Sequence, residues 1–76
     1  MKIEGAYLEH RNLADGRAIA VDQLAQGRGL VVIGTRYAGT SWEYSSISEA
    51  LAAWFDWDPA KSLEPAGYQR RRRIEV

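Results

Sequence analysis

The sequence has no cysteine, and only one of its 76 residues is a histidine. Without thiols it can form no disulfide and no thiolate metal site, and His10 alone cannot build a zinc centre. The longest aliphatic run, residues 30–33, is far too short to span a membrane. Lys2 and Glu4 lie near the start of the sequence and no apolar run follows them, which is unlike a signal peptide. These absences predict a cytoplasmic protein with no metal, no cofactor and no membrane contact.

A chain of this length has room for one domain, which we expect to cover residues 1–76. Such a small domain buries only about 60% of the surface that its unfolded chain exposes, so its stability is expected to be marginal. Three tryptophans, four tyrosines and one phenylalanine are therefore expected to supply much of the core.

Groups for catalysis are also scarce. A nucleophilic site needs a nucleophile, a base and an orienting group, and no serine lies in a GxSxG context. We interpret His10 as a strand residue that faces Asp22 or solvent. Asp56 and Asp58 lie two residues apart near a helix end, so they point to different sides and are interpreted as solvated acids. Residues 27–29 precede a strand rather than a helix, which favours a turn over a phosphate loop. The sequence predicts that the protein is not an enzyme.

Apolar and alternating stretches separated by turn residues predict an α+β fold with a small antiparallel sheet of three to four strands. Residues 17–26 also fit a helix, but Ile19 and Val21, two residues apart, favour a strand. The run at residues 30–33 is typical of a central strand. The predicted strands are residues 3–13, 17–26, 30–37 and 42–44, with turns at 14–16, 26–29 and 38–41.

The register of the first hairpin can also be predicted. A two-residue loop at Asp15 and Gly16 would place Glu9 opposite Asp22, an unfavourable pair of like charges. A three-residue loop at residues 15–17 avoids this pair and is preferred. It would set Leu8 opposite Leu24 and His10 opposite Asp22.

One amphipathic helix is predicted over about residues 46–57, packed on one face of the sheet. Ser46 and Glu49 have the spacing of a capping box, and Asp58 followed by Pro59 marks the end. An apolar stripe predicts the core side, and the opposite side is small and acidic. Trp57 lies off the stripe, where it either closes the core edge or is exposed for a partner. The stripe is Ile47, Ala50, Leu51, Trp54 and Phe55; the outer side is Ser48, Glu49, Ala52, Ala53 and Asp56.

Charge is unevenly distributed although the net charge is zero. Residues 1–42 carry a formal charge of +1, residues 43–64 carry −4 and residues 65–76 carry +3. The arginine run, which is Arg70, Arg71, Arg72 and Arg73, accounts for the basic end. It fits phosphate contact, a solvated strand or tail, or neutralisation of an acidic surface. Residues 67–76 are accordingly predicted to be an edge strand or a basic tail.

The leading functional hypothesis is a small binding protein that acts through protein contacts, as inhibitors or adaptors encoded by phages and mobile elements do, for example against CRISPR or restriction systems. Its acidic helix surface could imitate the charge of a nucleic acid. The alternative is a small nucleic-acid-binding module that uses the arginine run. A homodimer is also compatible with the sequence. The predicted partner-binding residues are Glu49, Asp56, Trp57, Asp58, Arg70, Arg71, Arg72 and Arg73.

Overall fold

Five strands form one antiparallel sheet in the computed structural model, which describes residues 7–35 and 38–75. The strands lie side by side in chain order, and one helix follows the fourth of them. The prediction of three to four strands was therefore low by one or two. The fifth strand lies in the segment predicted as an edge strand or basic tail, and its four arginines pair with residues 40–43 of the fourth strand. The elements are β1 (Glu9–Asn12), β2 (Ala18–Gln23), β3 (Gly29–Gly34), β4 (Ala38–Tyr44), α1 (Ile47–Asp56) and β5 (Arg70–Glu75), with a short 3₁₀ turn at Ala25–Gly27.

The first hairpin has the predicted loop length but a different position. Its loop is residues 14–16, closed by the Leu13 N–H, which donates to the Arg17 carbonyl at 2.7 Å. Gly16 takes the left-handed conformation (φ +90°) that ends three-residue hairpin loops of this kind. The predicted register was wrong as a result, because His10 lies opposite Ala20 rather than Asp22. Of the predicted strand 3–13, only Glu9–Asn12 forms a strand in the structure. Residues 3–6 lie outside the described residues.

The turn predicted at residues 38–41 was also wrong, since these residues begin β4. Ala38, Gly39 and Thr40 resemble a turn by composition, but Gly39 pairs with Gly34 across the strands. A Cβ on Gly34 would come within 2.3 Å of the Ala38 carbonyl oxygen, so glycine is needed for close approach of two strands. Residues 36–37, predicted to end the third strand, lie outside the described residues.

The structure confirms the helix and the start of its capping motif. The Ser46 hydroxyl accepts from the Glu49 N–H at 3.1 Å, as predicted. The Glu49 carboxylate accepts from the Ser45 hydroxyl instead of reaching back to the Ser46 N–H. Within the described residues, no helix is long and apolar enough to cross a membrane.

The core lies between α1 and one side of the sheet, here called the helix side. The helix residue at the centre of this core is Ala50, which is fully buried. Ala50 lies at one edge of the predicted apolar stripe, so the buried side of the helix is rotated from the predicted one. Phe55 lies about 140° around the helix from Ala50, whereas Trp57 returns to within about 20° of it, at about 100° per residue. Phe55 is accordingly 76% exposed, which contradicts its predicted core role, and Trp57 is 5% exposed. The buried core residues are Ile19, Val21, Val31, Ile33, Trp42, Tyr44, Ala50 and Trp57.

Trp57 joins the helix to both the sheet and the segment that follows. Its ring meets that of Trp42 edge to face, with centroids 5.1 Å apart. Its Nε1 donates to the Ser62 carbonyl at 3.2 Å, and its own carbonyl accepts from Arg11 at 2.6 Å. The interpretation of Trp57 as a residue that closes the core edge is confirmed, since it is only 5% exposed.

Candidate binding site

An acidic groove of about 690 Å³ runs between the outer side of α1 and the segment after it. The structure brings three of the predicted acids, Glu49, Asp56 and Asp58, to its walls, together with Glu64. Among the described residues, Lys61 is the only basic one in its lining, so the formal charge of the groove is −3. Asp58 was predicted to point away from Asp56 on a helix, but α1 ends at Asp56, and the chain then turns so that both acids line one groove.

Tyr44 lies at the base of the acidic groove and anchors its far wall. Its hydroxyl donates to the Ala66 carbonyl at 2.9 Å. Burial of the ring, together with the nearby charge of Tyr68, raises the pKa of Tyr44 to about 12. Tyr68 in turn donates to the Glu64 carboxylate at 3.1 Å, and this hydrogen bond raises the pKa of Tyr68. The groove wall is thus held by two tyrosines that must stay protonated.

The hydrogen bonds that hold this wall of the acidic groove should therefore be lost at alkaline pH. The pKa of Tyr44 rises from its ordinary value of 10.0 to about 12 on folding, so its contribution to stability is complete below pH 10 and is lost as the pH rises toward 12. Between about pH 9 and about pH 11.5, we expect the free energy of unfolding to decrease less steeply with pH in Tyr44→Phe than in the unaltered protein. Urea titration at each pH measures this free energy. Equal slopes in the two proteins would contradict this expectation.

A second cavity, of about 680 Å³, lies on the other side of the helix against β1. The exposed ring of Phe55 lines it, beside Glu9 and Arg11. Ala52 and Asp56 line both this cavity and the acidic groove, which makes the outer side of the helix one continuous surface. We call this surface, which consists of Glu49, Ala52, Phe55 and Asp56, the helix surface.

The arginine run forms an edge strand, and strand geometry divides it between the two sides of the sheet. Arg71 and Arg73 are paired with Trp42 and Thr40, on the helix side. Arg70 and Arg72 lie on the opposite side. The four charges predicted as one patch are therefore two pairs.

Two of these arginines have carboxylate partners. Arg70 lies 3.7 Å from Glu43, and Arg71 lies 3.9 Å from Glu64, both longer than a good charge-assisted hydrogen bond. Among the described residues, Arg72 and Arg73 form no ion pair. The edge strand thus keeps a basic group on each side of the sheet that no described residue neutralises.

Three surface residues were not predicted to belong to a site. Phe55 was assigned to the core because its spacing fits an apolar stripe, and only the position of the helix on the sheet shows that it is exposed. Glu64 could be counted as part of the −4 segment, but nothing placed it beside the helix. Arg17 lines a cavity on the helix side of the sheet with Ile33 and Thr40. No sequence signal placed it there, because the first hairpin decides what it faces. Among residues 7–35 and 38–75 there is no group of acids and histidine that could hold a metal ion.

No protein-family model, curated protein or solved structure matches this chain.

Proposed function

We propose that this is a small binding protein that acts by docking its helix surface and acidic groove on a basic surface of a partner protein. The observation that carries the proposal is the meeting of four carboxylates around one groove, next to an aromatic ring that the core leaves outside. Aromatic residues at the centre of a polar rim are the groups that contribute most to binding energy in protein interfaces.

The charge of the groove defines the class of partner. Four carboxylates against one lysine favour a surface rich in arginine and lysine, and such surfaces occur where proteins bind nucleic acids. A protein that occupies such a surface would compete with the nucleic acid for it. Inhibition of a host nuclease or restriction system, of the kind encoded by phages and mobile elements, is the activity we propose for this surface. Complementary charge would mainly speed association and set specificity.

Asp56→Lys tests the proposal with little risk to the fold. The residue is exposed and ends the helix, where a positive charge is favourable, so the variant should fold as well as the unaltered protein. We expect its affinity for the partner isolated from a bacterial lysate to fall at least about tenfold, measured by titration of the purified pair at two salt concentrations.

Asp22→Lys is the matched control, because it makes the same change of charge on the side of the sheet away from the helix. It should leave the affinity within about twofold of the original. Equal losses from the two variants would show that overall charge, rather than the acidic groove, governs binding. Phe55→Ala tests the apolar part of the surface without changing its charge. Because Phe55 is exposed, the substitution should change stability by no more than about 0.5 kcal/mol. It should nevertheless weaken binding of the partner.

The alternative, a nucleic-acid-binding module, is favoured by one observation, the two arginines without ion pairs among the described residues, Arg72 and Arg73. They lie on opposite sides of the sheet, so neither side presents more than two arginines of the run. Under this alternative, the protein binds DNA or RNA at low ionic strength and loses affinity steeply with added salt. No binding to either nucleic acid at low salt would eliminate it.

A further inference from the structure

The helix side of the sheet carries a second groove, next to β5, that the proposed function does not use. It consists of a cavity of about 530 Å³ and an adjoining one of about 290 Å³. Arg17, Ile33 and Thr40 line both parts, which makes them one feature, here called the basic groove. Arg71 lines the larger part and Arg73 the smaller.

The basic groove combines positive charge with apolar walls. Among the described residues, its lining holds three arginines, Arg17, Arg71 and Arg73, and one acid, Glu64, so its formal charge is +2. Arg17 is already paired with Asp15 at 2.7 Å, so Arg71 and Arg73 carry the charge that a ligand would meet. Arg71 is held by Glu64 only at 3.9 Å, and Arg73 has no ion pair among the described residues, so both guanidinium groups are available to another anion. The other walls of the larger part are Ile33, Trp42, Trp57, Pro59 and Leu63.

Trp42 gives an independent indication of a ligand. It lines the larger cavity and is 2% exposed, and its Nε1–H has no acceptor among the described residues. The other two tryptophans each donate to a carbonyl, Trp54 to Ile19 at 3.1 Å and Trp57 to Ser62 at 3.2 Å. A buried donor without an acceptor is costly, and an acceptor oxygen supplied by a ligand would remove that cost.

We infer that the basic groove binds a small organic anion, a molecule that joins an apolar or aromatic body to one phosphate or carboxylate group. The anionic oxygens would accept from Arg71 and Arg73. The Trp42 Nε1 has almost no accessible surface, so a ligand oxygen would accept from it only after the groove wall moves. The apolar body would lie against Ile33 and Leu63. The volume of the larger part, about 530 Å³, lies within the range of small-molecule sites. This inference concerns a different groove from the one used by the proposed function, although Trp57 and Glu64 line both grooves.

The test is a titration of the isotope-labelled protein followed by the indole N–H signals in proton–nitrogen NMR spectra. The probes are phenyl phosphate and benzoate, with inorganic phosphate and phenol as controls for charge alone and ring alone. We expect phenyl phosphate or benzoate to move the Trp42 signal. The probe that binds more tightly shows whether the groove prefers a phosphate or a carboxylate group. The Trp54 signal should stay in place, because that indole already has an acceptor outside the groove.

The arginine run supplies matched variants, because alternate residues lie on opposite sides of the sheet. Arg71→Gln with Arg73→Gln should weaken binding of the preferred probe at least about tenfold. Arg70→Gln with Arg72→Gln removes the same charge from the other side and should change it less than about twofold. All four residues are exposed, so both double variants should fold, and far-ultraviolet circular dichroism checks this.

Three results would overturn the inference. The first is no movement of the Trp42 signal with either aromatic probe. The second is binding of inorganic phosphate as tight as that of phenyl phosphate, which would indicate only general attraction of anions. The third is an equal loss of affinity in the two double variants. If a double variant fails to fold, Arg73→Gln is compared with Arg72→Gln instead, because neither substitution breaks an ion pair among the described residues.

Discussion

Trp57→Ala is expected to destabilise the protein by about 3–5 kcal/mol, the usual cost of removing a large buried aromatic ring. At roughly 0.05–0.15 kcal/mol per residue, a chain of 76 residues has about 4–11 kcal/mol of stability in total. The substitution removes the edge-to-face contact with Trp42 and the hydrogen bond to Ser62 together. A large fraction of the variant should be unfolded at 37 °C, which thermal denaturation followed by circular dichroism would show.

Trp57→Phe separates the two contributions of this residue. It keeps an aromatic ring against Trp42 but removes the Nε1 donor, so it should cost only about 1–2 kcal/mol. A loss of less than about 1 kcal/mol in Trp57→Ala would mean that the residue does not hold the helix on the sheet. Because Trp57 lines both the acidic groove and the basic groove, its loss should also disturb binding at each.

Ala50→Leu is expected to destabilise by at least about 2–3 kcal/mol, although leucine is nearly as good a helix former as alanine. Ala50 is fully buried at the point where α1 comes closest to β3. A Cβ placed on Gly29 would lie 2.5 Å from the Cβ of Ala50 and 2.8 Å from the Ser46 carbonyl oxygen. There is no space for a larger side chain on either element, so the helix would have to move away from the sheet.

Ala52→Leu is the matched control for that prediction. It makes the same change two residues further along the same helix, but on the exposed outer side. We expect its free energy of unfolding, measured by urea titration, to stay within about 0.5 kcal/mol of the original value. Similar losses in the two variants would show that helix propensity, and not packing against Gly29, is responsible.

Local signals predicted several of the elements well. Ser46 followed by Glu49 located the helix start, and the aliphatic run at residues 30–33 located the central strand. The β-branched pair Ile19 and Val21 correctly favoured a strand over a helix. These features depend on neighbours in the chain, so the sequence contains their physical cause.

Errors occurred where distant residues decide the outcome. Gly39 resembled a turn residue, yet its use is the close approach of β4 to β3. Phe55 fitted the apolar stripe, but the contact of Ala50 with Gly29 rotates the helix so that Trp57 is buried instead. The hairpin register is a local exception: Gly16, with its positive φ, ends the loop one residue earlier than expected.

The candidate surfaces divide in the same way. The sequence by itself determined that one helix would carry acids on its outer side and that a basic segment would follow, because composition and periodicity are local properties. Only the tertiary structure decided that Glu64 and Asp58 join Glu49 and Asp56 around one groove. It also decided that the arginine run is divided into two pairs, one of which meets Arg17 and Trp42. A groove depends on which distant segments pack side by side, and that is set by burial of the whole core rather than by any one stretch of residues.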